Sequence, residues 1–163
     1  MSKKTDIATN AVQFEPELLA ILTHMFDERI AFNQLIGLKL GSFRPERVTA
    51  TIQMKPELVG NFTHHRMHGG VTSACLDAAG GFAVMAAVFA RHMDEPIGKR
   101  LERFGKLGTI DLRIDYLRPV QGEHFEVSAE VLRLGSRVAN TRMEFRSADG
   151  KLLSTGAAAY IVS

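Results

Sequence analysis

Residues 61–81 read Asn-Phe-Thr-His-His-Arg-Met-His-Gly-Gly-Val-Thr-Ser-Ala-Cys-Leu-Asp-Ala-Ala-Gly-Gly. A polar, histidine-rich segment ends at His68. Two glycines follow, and a run of small and apolar residues then continues to Ala90. A helix that is apolar on every face belongs inside a fold. Asp77 is the one charge in the run. An aspartate is rarely buried without a partner, so it is either satisfied locally or lines a cleft where its charge is used. If the helix starts at Gly69 and Gly70, its first amides lack helical partners and carry the positive end of the dipole. That end suits an oxyanion or a polarised carbonyl. Ser73, Ala74, Gly80 and Gly81 share the face of Asp77 by three- and four-residue spacing. All are small, which leaves room for another backbone or a thin substrate.

Outward from this stretch, the elements follow from periodicity. Residues 1–13 are polar and expected to be flexible, and residues 14–163 to form a single domain. A helical stripe of Leu18, Leu22, Met25, Phe26 and Ile30 runs from about Glu15 to Phe32, with Pro16 in its first turn. It reads as a packing helix without chemistry. Ile36, Leu38 and Leu40, then Val48, Ala50, Ile52 and Met54, alternate as two strands about a turn at Arg44-Pro45-Glu46. Residues 56–67 read as a loop, and residues 91–108 as an irregular, basic segment. Four more alternating stretches follow. They are Ile110–Tyr116, Phe125–Val131, Arg142–Arg146 and Leu152–Val162, the last two joined by a hairpin turn at Asp149-Gly150. The order predicts an α+β fold: a curled antiparallel sheet of about six strands around one long central helix, with an extra N-terminal helix. Open sheet edges predict pairing with a second copy, as a dimer or a dimer of dimers.

Composition narrows the partners. A net charge of +2 over 163 residues does not point to nucleic acid. A single cysteine, Cys75, excludes an internal disulfide framework and fits a reducing, cytoplasmic setting. The N-terminus leads into no apolar signal core. The run after Gly70 is nearly long enough to span a bilayer, but Asp77 interrupts it, so a buried helix is expected and no membrane span.

The central stretch and this element order resemble the hotdog-fold acyl-CoA thioesterases, most closely the PaaI-like branch. The match is carried by His68-Gly69-Gly70 with an acid nine residues after the histidine, and by Thr109-Ile110-Asp111-Leu112-Arg113-Ile114-Asp115-Tyr116-Leu117-Arg118-Pro119 behind it. The resemblance implies hydrolysis of acyl-CoA without a cofactor. Asp77 would be general base or nucleophile, facing a thioester held by the other subunit. The Gly70 amide would polarise the thioester carbonyl, His68 would shape the site, Asn61 would assist, and Thr109 would position the water. Asn61 lies seven residues before His68 where the pattern has six, a difference that a one-residue bulge would absorb. Gly69 and Ser73 would border the substrate, and Arg103 and Arg118 would meet the nucleotide phosphates of coenzyme A.

Plainer readings compete with each assignment. Asp77 as a structural carboxylate paired at a subunit interface, His68 as a helix cap, Ser73 as a group satisfying local backbone, and the basic loop as a solvated surface are the alternatives. His64, His65 and His68 with Asp77 would make a mixed zinc site, but their spacing matches no common ligand pattern, and no metal is expected. At the level of function, a non-catalytic acyl-CoA-binding hotdog protein is the alternative. A hotdog dehydratase pairs its histidine and acid in a different motif.

Overall fold

The structure, a computed structural model, describes residues 12–162. The segment expected to be flexible therefore lies almost wholly outside the described residues. Pro16 opens helix α1 (Pro16–His24), where its fixed φ and missing N–H fit the first turn. Leu18, Leu22 and Phe26 are fully buried. The single helix expected over residues 15–32 is instead broken. A wide π-type turn (Met25–Arg29) leads to Ile30, which is extended at φ −81 and ψ 95, and helix α2 (Ala31–Ile36) then starts in a new direction. Gly37, at φ +78, closes α2 in the left-handed conformation, and its N–H and that of Leu38 both reach the Asn33 carbonyl. Ile36 thus belongs to a helix, and the first strand starts three residues later than its alternation predicts.

The strands are β1 (Lys39–Phe43), β2 (Val48–Gln53), a short hairpin of β3 (Val59–Asn61) and β4 (Arg66–Met67), and then β5 (Gly108–Tyr116), β6 (His124–Leu134), β7 (Val138–Ser147) and β8 (Leu152–Ile161). Six of them form one antiparallel sheet in the order β1-β2-β6-β7-β8-β5. Alternation accounts for its two faces. Phe125, Val127 and Ala129 of β6 and Met143 and Phe145 of β7 are buried, while Glu126, Glu130 and Arg142 point outward. Asp149-Gly150 makes the expected turn, with Gly150 at φ +83 and its N–H bonded to Ser147. The loop expected over residues 56–67 contains the β3–β4 hairpin, and its register slips between Val59 and Asn61. That slip is a one-residue bulge on β3.

Helix α3 (Gly69–Ala90) lies against β6, β7 and β2 with Cys75, Leu76, Phe82, Met85 and Phe89 buried. Each large side chain there contributes about 1.5–3 kcal/mol by leaving water. By length and composition α3 is apolar enough to cross a membrane, but most of that surface is buried by the protein itself. Rings of Phe26, Phe43 and Phe104 pack around Phe82 and bind the N-terminal helices to it. The basic segment expected to be irregular holds helix α4 (Ile97–Glu102) and a tight turn at Arg103–Lys106. Arg100, 1% exposed, donates to the Glu15 carboxylate. Hydrogen bonding from Arg100, more than any other cause, holds the Glu15 carboxyl below its ordinary range. This pair ties the start of α1 to α4.

Candidate active site

Asp77 sits in the third turn of α3, half-buried. Its Oδ1 accepts from the Thr109 hydroxyl at 2.9 Å and from the Tyr160 hydroxyl at 3.2 Å. Among the described residues, none donates a hydrogen bond to Oδ2 and no cation pairs with the carboxylate. Within one chain, Asp77 is therefore held by hydroxyls and not by an ion pair. The carboxylate lines a cleft of about 320 Å³. Apolar groups dominate its walls: Ile30 and Phe32 from the N-terminal break, Ala78 and Phe82 from α3, and Phe104 and Leu107 from the segment before β5. Asp77 is the one charged residue in this largely apolar lining, a combination suited to an apolar chain attached to a polar reacting group.

Tyr160 was not legible as a site residue. It lies on β8, 2% exposed, and its hydroxyl also reaches the Asp77 backbone carbonyl at 3.0 Å. Burial first, and the neighbouring carboxylate second, push its phenol well above the ordinary range. Tyr160 is therefore a permanent donor. The N-terminal wall was missed too, because the break at Ile30 carries no Gly or Pro to announce it.

The other candidates fall into separate places. His68 is the N-cap of α3, and its Nδ1 accepts the Gly70 N–H at 2.9 Å. The Gly70 amide, expected to be open to a carbonyl, is engaged by the imidazole that precedes it. The Gly69 carbonyl accepts from the Tyr116 hydroxyl at 2.8 Å. Gly69, Thr72, Tyr116 and Arg118 line a second cleft of about 320 Å³ beside the start of α3. There Arg118 donates to the Leu152 carbonyl at 2.8 Å. The Ser73 hydroxyl bonds back to the Gly70 carbonyl at 3.0 Å, a local role. Asn61 is exposed at the end of β3, and its Oδ1 accepts the His64 N–H at 3.1 Å, which shapes the hairpin tip.

Arg103 lies elsewhere. Its guanidinium is held by both Glu95 oxygens, at 2.7 and 3.1 Å, and the pair is partly shielded. That grip, chiefly the Arg103 hydrogen bonds, brings the Glu95 carboxyl down to about 2. Arg103 faces a third cleft with Arg91, His92 and Lys106, which shares no lining residue with the Asp77 cleft. Its guanidinium is committed to Glu95, and it stands apart from the Asp77 cleft. No group of three metal-binding side chains occurs among the described residues. Cys75 is fully buried, and desolvation pushes its thiol up to about 12, so it is no nucleophile near neutral pH.

A carboxylate with one oxygen tethered by hydroxyls and no donor to the other among the described residues, set in a largely apolar cleft, is suited to general-base chemistry. The Thioesterase superfamily profile matches residues 64–154. The chain belongs to that superfamily and has its hotdog fold. The medium/long-chain acyl-CoA thioesterase YigI of Escherichia coli (strain K12) is 32% identical over 153 residues, covering 94% of this chain and 99% of that one. A solved Shewanella oneidensis protein related to the thioesterase superfamily is 38% identical with a TM-score of 0.85, over 90% of this chain and 96% of that one. A Haemophilus influenzae thioesterase structure, 18% identical with a TM-score of 0.71 over 93% and 92% of the two chains, is a likeness of fold alone.

Proposed function

We propose that the protein is a cytoplasmic acyl-CoA thioesterase of the PaaI-like kind, acting on medium or longer apolar acyl chains. The observation that carries this reading is the Asp77 carboxylate in the lining of the apolar cleft. The acyl chain would lie between Ile30, Phe32, Phe82 and Phe104. Asp77 Oδ2, with no donor among the described residues, takes the proton of the attacking water, while Thr109 steadies Oδ1. The oxyanion that forms needs donors. Gly69 lies eight residues from Asp77, about 12 Å along the helix axis, too far to serve the same carbonyl within one chain.

A second copy resolves this distance. β5 is an edge strand with Ile110 and Tyr116 exposed. Thr109 stands at its start, beside the Asp77 cleft, and Tyr116 at its end, beside the first turn of α3. Two-fold antiparallel pairing of β5 with its copy brings the start of one strand to the end of the other. The Asp77 of one protomer then faces the Gly69–Gly70 turn of its partner. In that turn Gly69 N–H serves as donor, and Gly70 N–H joins it when His68 Nδ1 lets go. The Arg118 guanidinium, in the same cleft, is suited to the phosphates of coenzyme A.

Thiol release from a panel of acyl-CoAs tests the reading. Wild type is expected to hydrolyse the longer members, and Asp77→Asn to lose about 10²- to 10⁴-fold in kcat with the fold intact. Equal rates for the two proteins remove Asp77 from the chemistry, and binding without turnover favours a non-catalytic acyl-CoA carrier. Light scattering is expected to give a dimer or a dimer of dimers. A fully active monomer contradicts the shared site.

A further inference from the structure

Two adjacent glycines, Gly80 and Gly81, interrupt the middle of α3, where each is disfavoured relative to alanine. At Gly80 the structure gives a reason. A Cβ there would lie 2.2 Å from the Tyr160 hydroxyl oxygen, closer than any real contact. The missing side chain is the opening through which Tyr160 reaches Asp77. The reach ends in an unusual grip. One hydroxyl lies 3.0 Å from the Asp77 carbonyl oxygen and 3.2 Å from the Oδ1 of the same residue. A donor shared between the main chain and side chain of one residue closes a small ring and restricts that side chain to one rotamer. Thr109 holds only the carboxylate, from the start of β5. Tyr160 holds it from the buried, paired strand β8.

We propose that Tyr160 is a positioning residue for the hydrolytic step, admitted by Gly80, and that its grip on Oδ1 selects Oδ2 as the oxygen that meets water. This rests on the reading of Asp77 as general base. The phenol stays protonated because burial and the facing carboxylate oppose its ionisation, so the grip persists across the working pH range. A restrained carboxylate meets the water in one geometry, and an unrestrained one must find it at each turnover.

Steady-state kinetics and crystal structures of Tyr160→Phe and Gly80→Ala test this. Tyr160→Phe keeps the ring and loses the hydroxyl. Its kcat is expected to fall about 10- to 100-fold with KM nearly unchanged, and its Tm to move by only about 2–4 °C. Gly80→Ala is expected to lower kcat likewise by displacing the hydroxyl. In a Tyr160→Phe background that hydroxyl is gone, so the alanine should add little to the loss in kcat, although a Cβ 3.0 Å from the ring Cζ and 3.1 Å from Met143 Sδ should still lower Tm. A wild-type kcat in Tyr160→Phe overturns the proposal, as do losses that simply follow Tm. If wild type hydrolyses no acyl-CoA, the proposed function fails instead. The Tyr160→Phe crystal structure still decides this point, because an Asp77 side chain unmoved in it overturns the role given to Tyr160.

Discussion

The two halves of the opening stretch, the histidine hairpin at 61–68 and the α3 turn around Asp77, contrast in how their polar groups are used. In the hairpin, the polar side chains accept from their own neighbours. Asn61 accepts the His64 N–H and His68 Nδ1 accepts the Gly70 N–H, while Gln121, 57 residues away, bonds only the His64 main-chain carbonyl. Asn61, His64 and His68 are all exposed. Around Asp77 the partners come from afar: Thr109 is 32 residues away and Tyr160 is 83. Local hydrogen bonds build a turn, whereas long-range bonds to a half-buried carboxylate hold a reactive group in a place that the chain alone would not choose. An abundance of histidines is therefore a weaker sign of chemistry here than one acid in an apolar helix.

Substitutions can break or sharpen that contrast. Asp77→Asn sets its upper end. Thr109→Val keeps the strand shape and removes one of the two hydroxyl tethers, and a loss of about tenfold in kcat is expected in a thiol-release assay. A larger loss than that of Tyr160→Phe would transfer the main tether to Thr109. At the lower end, His64→Ala with His65→Ala should leave kcat and KM within about twofold of wild type, since neither imidazole lines the Asp77 cleft. His65 sits at φ +48, so some loss of hairpin stability is expected without loss of rate. A strong kinetic defect in that variant would return the hairpin to the site.

Much of the architecture was legible because periodicity survives folding. The strand alternation from Ile110 onward and the apolar run to Ala90 need no tertiary information. Asp77 was legible by contrast with its neighbours, and Thr109 through resemblance. Tyr160 was not. On a strand whose alternate residues are buried, a tyrosine looks like core, and only the approach of Gly80 across the helix–sheet gap reveals the reach of its hydroxyl. The break at Ile30 was hidden for a related reason. Its apolar side chains satisfy a helical stripe, while the backbone turns to carry Phe32 towards the cleft. At Arg103 the positive charge is visible in the sequence, and its bidentate partner, Glu95, is not recognisable as such.

The pair between Glu15 and the buried Arg100 joins the first and fourth helices, and both flank segments that line the Asp77 cleft. Those segments supply Ile30, Phe32, Phe104 and Leu107, whereas Asp77 stands on α3 and its two hydroxyl partners on β5 and β8. Under the proposed function, reshaping the first group is expected to change which chains fit and to leave the carboxylate where it was, so that selectivity and chemistry can be altered one at a time.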